Sequence, residues 1–231
     1  MKLFLDTVQI EEFSISITRK KIKSLILKIR GEGEIKISAP LKQSDVSIRN
    51  FIIRKLPWIR NILKNKTFHQ KETPKEFIDG EIHSLFGMKL PLRVLENSKA
   101  NSVFLGTDQI ILSIKKNASL QKRQLLMDLF YKEQLILILK PMIETWEKKM
   151  KIKVQEFFIK KMKTRWGTCN PSKKRIWFSF ELSKKSIVCI EYIVVHELIH
   201  FFELGHNKRF YALMDYHLPN WKIVKTELNS N

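Results

Sequence analysis

Cysteine is scarce in this chain. Of its 231 residues only Cys169 and Cys189 carry a thiol, and no Cys-x-x-Cys pair occurs. That excludes a zinc ribbon and a thioredoxin-like redox motif, and two such sparse thiols fit a reducing compartment. Acidic residues are also few: 23 Asp and Glu stand against 43 Lys and Arg, a formal charge of +20. A field of that sign would attract nucleic acid, anionic lipid or acidic substrates. Lysine outnumbers arginine 33 to 10, however, and is scattered along the whole chain. Arginine is the usual residue for bidentate contacts to bases and phosphates. A generally basic surface is therefore the first expectation, and a nucleic-acid partner the second. Long apolar runs are missing as well: Leu135 to Leu139 is far too short to span a bilayer, so no membrane partner is expected. Residues 1–12 lack a basic segment followed by an apolar core, so no secretory leader is expected and a cytoplasmic location is the default. There is no P-loop, no internal repeat and no low-complexity segment.

What is present reads as a soluble globular chain, 44% apolar and 29% charged, long enough for one large domain or two small ones. Ile15 and Ile17, then Leu25, Leu27 and Ile29, then Ile35 and Ile37 alternate with period two around a Gly31-Glu32-Gly33 turn, which predicts an antiparallel meander. Ser44 is a plausible N-cap for a helix broken or kinked at Pro57. A polar connector, an Asp79-Gly80 turn and two or three short strands follow. Residues 118–150 carry a long helical pattern that Pro141 is expected to kink or divide. Strand-like sequence returns over 154–180. Ser183 or Ser186 could cap the next helix, and Asn207 the last. The fold class is α+β: a strand-rich region over 1–116, then a mostly helical region over 117–231 with its own small sheet.

His196-Glu197-Leu198-Ile199-His200 is an H-E-x-x-H motif on an apolar helix. Two histidines four apart share a helix face and can meet one metal ion, while the glutamate between them can reach water at that ion. A catalytic zinc needs three protein ligands and an open position. His206 is the favoured third. On a continuing helix it would be rotated away, so the chain must turn back, and Gly205 is placed for a left-handed cap. Glu203, three residues after His200, is the rival ligand.

Tyr192-Ile193-Val194-Val195-His196-Glu197-Leu198, Gly205-His206-Asn207, Lys208-Arg209-Phe210-Tyr211 and Leu218-Pro219-Asn220-Trp221 resemble the YgjP-like metal-dependent hydrolases, zincins related to the SprT-like group. Arg165-Trp166-Gly167-Thr168-Cys169 resembles that family's R-W-G-S-C hallmark. Pro57-Trp58-Ile59-Arg60 and Asp79-Gly80-Glu81 resemble its weaker N-terminal signals. The resemblance implies a zincin-like C-terminal part, Zn2+ held by His196, His200 and His206, a catalytic Glu197, and a structural or substrate-side role for residues 165–169. The chain departs from the family's usual pattern at Gly205, at Phe210-Tyr211 and near Ser179. Glu203 replaces the glycine that metzincins carry within the same histidine spacing.

A hydrolase also needs a group to stabilise an oxyanion. Arg165 is the first choice; Tyr192, Tyr211 and His217 are the others. Trp166 reads as core. Cys169 lacks an identifiable base for nucleophilic work. His69 and His83 read as surface or turn histidines. Arg175 to Leu182 is nominated as the edge strand that would hold an extended peptide or protein substrate. The leading reading is a zinc peptidase. A phosphoanhydride (nucleotide) hydrolase and a nucleic-acid-binding module with a structural metal are its rivals, and the oligomeric state is open.

Overall fold

The computed structural model describes residues 5–30, 33–65, 74–162 and 164–230; Gly31, Glu32 and His69 fall outside them. The architecture is α+β, with strand-rich sheets first and helices gathered toward the C-terminus. It divides into two compact units, Met1–Glu72 and Thr73–Asn231. The boundary expected near residue 116 therefore lies within the second unit.

The first unit contains β1 (Leu5–Ile10), β2 (Phe13–Lys20), β3 (Ile26–Arg30), β4 (Glu34–Pro40) and α1 (Asp45–Asn65). Period-two patterning buries Ile15, Ile17, Ile35, Ile37 and Ala39 on one face, against Ile48, Ile52, Leu56 and Ile59 of α1. The sheet is not the expected meander. Its order is β1-β2-β4-β3, and β2 and β4 run parallel, with Ile15 opposite Ile35 and Ile17 opposite Ile37. Alternation dictates which face is buried, not which strand is the neighbour. Pairing the two strands with fully buried isoleucines places them centrally and leaves half-buried Leu27 and Ile29 at an edge. Helix α1 passes Pro57 without a break, because that residue lies on the exposed side, where water can take the carbonyl its ring displaces.

In the second unit β5 (Ile82–Leu85), β6 (Met88–Leu95), β7 (Ser102–Leu105) and β8 (Ile110–Ser113) form a sheet of order β5-β6-β8-β7. Helix α2 (Leu120–Met150) is capped by Ser119 and continues through Pro141, again on its solvent side. Its first half supplies Met127, Phe130 and Tyr131 to the core over this sheet. Its second half supplies Leu135, Leu139, Ile143 and Trp146 to a separate core. That core also takes residues from β9 (Glu156–Lys160), β10 (Gly167–Asn170), β11 (Arg175–Ser179), α3 (Ile187–Ile199), α4 (Lys208–His217) and α5 (Trp221–Ser230). α3 is apolar on nearly every face and is buried accordingly: Ile190, Val194, Val195 and Leu198 expose 0% of their surface. The β5–β6 hairpin docks beside its N-terminus. There Phe86 N–H donates to Ser183 O at 2.8 Å, and Gly87 takes a left-handed φ of +84°, where a Cβ would also crowd Ser186 at 3.2 Å. No described helix is long and apolar enough to cross a membrane.

Candidate metal centre

Ser186 starts α3, its hydroxyl accepting from Cys189 N–H. Helical periodicity then brings His196 and His200 to one face, with ring centroids 5.1 Å apart. The helix ends at Ile199, and His200 is its cap in ordinary right-handed geometry. The reversal is made by tight turns, Phe201 N–H to Leu198 O and Phe202 N–H to Ile199 O. Gly205 is not the left-handed cap the sequence suggested: its φ is not positive, and a Cβ there would meet nothing within 4 Å. His206 is placed instead by the next helix. Asn207 caps α4, its Oδ1 accepting from Phe210 N–H at 3.0 Å.

The result is a convergence of imidazoles. His206 Nε2 stands 2.9 Å from His196 Nε2, and one ligand nitrogen from each of His196, His200 and His206 lies within 4.8 Å of the others. Two nitrogens on one tetrahedral zinc stand about 3.3 Å apart, so the donor set suits that ion. His200 Nδ1 lies 2.9 Å from Glu203 O. A carbonyl only accepts, so Nδ1 carries the hydrogen and Nε2 offers its lone pair inward. The rival ligand Glu203 thus contributes its backbone; its carboxylate faces Arg209 at 3.9 Å. Burial and the neighbouring imidazoles lower His196 to about 3, and burial with His200 lowers His206. Both are therefore neutral, the form that binds metal. Phe210, which the sequence marks only as part of a family motif and gives no role at the metal, is buried under all three rings with centroids 4.9, 5.0 and 4.6 Å away. Its place three residues after the Asn207 cap was the available signal.

Glu197 is 4% exposed and its Oε2 has no hydrogen-bond partner. Burial pushes its carboxyl up to about 8, while the charge of Arg165 pulls the other way. Gly167, the first residue of β10, is why this carboxyl fits: a Cβ there would stand 2.6 Å from Oε1 and 2.8 Å from Cγ of Glu197. Trp166 O accepts from Ser179 N–H at 2.8 Å, which fastens this segment to β11, and the Trp166 ring packs on the core. Arg165, Gly167, Cys169, Glu197 and the three histidines line one cleft of about 550 Å³.

The chain matches the YgjP-like, metallopeptidase domain over residues 23–231. It belongs to that family. No curated protein matches it. In general terms, family membership makes this chain a metal-dependent hydrolase of the peptidase kind.

The other candidates of this YgjP-like domain sort by position. Arg165 and Tyr192 line the cleft, whereas Tyr211 lines only a side pocket next to it. Burial, then Tyr211, pushes the Tyr192 hydroxyl up to about 12. His217 packs edge-on against Trp146 at 6.1 Å and lines neither space. Cys169 lines the cleft, but burial and the charge of Glu197 push its thiol up to about 12, which disarms it as a nucleophile. His83 is not at the surface. It is 3% exposed, set between the Tyr131 hydroxyl at 3.1 Å and Glu81 Oε1 at 3.2 Å. The nominated edge strand needs correction too. β11 is central in its sheet, and the edge strand at the cleft is β10.

Proposed function

We propose that the chain is a zinc peptidase acting on extended peptide segments. The observation that carries this reading is the convergence of three imidazoles beside a buried carboxyl with a partnerless Oε2. An all-nitrogen donor set favours zinc over the hard cations that prefer oxygen. His196, His200 and His206 would hold the ion, which when bound supplies a Lewis acid for a carbonyl and lowers the pKa of water. Glu197 takes a proton from the attacking water and passes it to the leaving amine. Arg165, at the cleft rim, favours the ionised form of Glu197 that this role requires, and is assigned the charge developing on the substrate oxygen. β10 lies at the edge of its sheet and lines the cleft through Gly167, Thr168 and Cys169, a setting that suits an extended peptide added as a further strand.

The test combines elemental analysis with digestion of a mixed peptide pool. Wild type is expected to carry about one zinc per chain and His206→Ala to lose it. Glu197→Gln is expected to keep zinc while its kcat falls about 10²- to 10⁴-fold. A zinc-loaded wild type that cuts no peptide sinks the peptidase reading, and full activity in Glu197→Gln sinks the assigned base.

A further inference from the structure

A side pocket of about 180 Å³ opens between α3, α4 and α5 and shares His196 and His206 with the metal centre. A group in this pocket would sit beside two of the three converging imidazoles. Its walls are aromatic. Trp221 stacks on Tyr192 with an interplanar angle of 6° and on Tyr211 with one of 13°, at centroid separations of 6.4 and 5.5 Å. Buried Met214 also lines it.

One charged side chain, exposed Lys225, stands at this largely aromatic pocket. Lys225 lines both the pocket and the main cleft. It follows Trp221 by one helical turn on α5, and its Nζ lies 5.6 Å from the Trp221 ring centroid. Two other cations of this unit find carboxylates: Lys222 pairs with Asp215 at 3.3 Å, and Lys184 with Glu181 at 2.9 Å. Among the described residues Lys225 has no ion pair, and neither does Arg165 across the cleft. Among the described residues the cleft lining contains one acid, Glu197, and that group is buried. Arg165 acts on that buried acid, whereas Lys225 has no anionic partner among the described residues.

Building on the peptidase reading, we infer that the side pocket selects substrates with a carboxylate on a short apolar stem beside the scissile bond, anchored by Lys225. The stem packs on the aromatic rings and the ammonium takes the charge. A neutral amide in the same place gains only the packing, and a basic side chain meets like charge. The carboxylate has two sources, a glutamate side chain or the free C-terminus of a peptide.

The experiment compares matched peptides carrying Glu, Gln or Lys next to the cleaved bond, each with a free or an amidated C-terminus. They are offered to zinc-loaded wild type, Lys225→Met and Lys225→Glu. Wild type is expected to prefer Glu over Gln by several-fold to about tenfold in kcat/KM, mainly through KM. Lys225→Met abolishes the preference and Lys225→Glu turns it toward Lys. A preference that follows the free C-terminus rather than the side chain assigns the terminal carboxylate as the ligand. Equal use of Glu and Gln with either terminus, or a preference unchanged in both variants, overturns the inference. In parallel, calorimetry compares N-acetyl-glutamyl hydroxamate with its glutaminyl counterpart on the zinc-loaded protein. A glutamyl preference that disappears in Lys225→Met upholds the pocket even if no peptide is cut, in which case only the peptidase reading falls. Equal affinities for the two hydroxamates, together with no preference for a free C-terminus among the peptides, overturn the pocket.

Discussion

A β-carbon at position 167 would stand 2.6 Å from Glu197 Oε1, closer than real atoms approach, so Gly167→Ala must push the carboxyl aside. Its kcat is expected to fall as in Glu197→Gln while zinc content stays at the wild-type level, at a stability cost of about 1–3 kcal/mol. Wild-type kcat in the alanine variant would show that the carboxyl is not held by this contact. The same carboxyl gives the metal-free protein a pH signature. Burial raises Glu197 from its ordinary 4.5 to about 8, so between those values the folded chain binds more protons than the unfolded chain. Stability then falls as pH rises. His196 acts in the opposite sense: lowered from 6.5 to about 3, it costs stability as pH falls through that interval. Comparison with Glu197→Gln cancels the histidine contribution. Metal-free wild type is expected to lose about 3 kcal/mol relative to that variant between pH 5 and 8, measured by chemical denaturation. A constant difference would mean that Glu197 is already ionised in the empty site.

The ends of α3 and α4 decide where the three candidate ligands meet. His206 precedes the first turn of α4, so the Asn207 cap is a positioning contact as well as a stabilising one. Asn207→Ala is expected to cost about 1 kcal/mol of stability and about tenfold in zinc affinity, with Asn207→Ser recovering most of both. Unchanged zinc affinity in the alanine variant would reduce the cap to a structural role. Much at this scale was legible in the sequence. The i, i+4 histidines, the Asn207 and Ser186 caps and the apolar α3 follow from local spacing. What was not legible depends on residues distant in the chain. The contact of Gly167 with Glu197 spans thirty positions, and Phe210 becomes part of the site only because α4 folds back under α3. The failed expectations have the same origin. Gly205 looked like a left-handed cap because glycine permits one, but permission does not create the need. Pro57 and Pro141 looked like breaks because the sequence does not show that both face solvent.

The family match runs from residue 23 to 231 and so covers parts of both units, yet the candidate site lies in one. All three histidines, Glu197, Arg165, β10 and the side pocket belong to residues 73–231. That unit builds its own two cores, and the 31-residue α2 contributes to both. The first unit closes a separate core around Ile15, Ile37 and Ile52. A unit that buries its own apolar surface should fold alone. Residues 73–231, expressed without the first unit, are therefore expected to give a cooperative thermal transition and to bind one zinc per chain, with His206→Ala abolishing binding in this fragment as in the whole chain. Because metal binds only the folded form, added zinc should raise the fragment's transition temperature with its concentration, and a chelator should reverse the shift. A fragment that folds and takes zinc but cuts no peptide that the full chain cuts would assign the first unit to substrate capture. A fragment that does not fold would mean that the second unit's cores depend on residues 1–72.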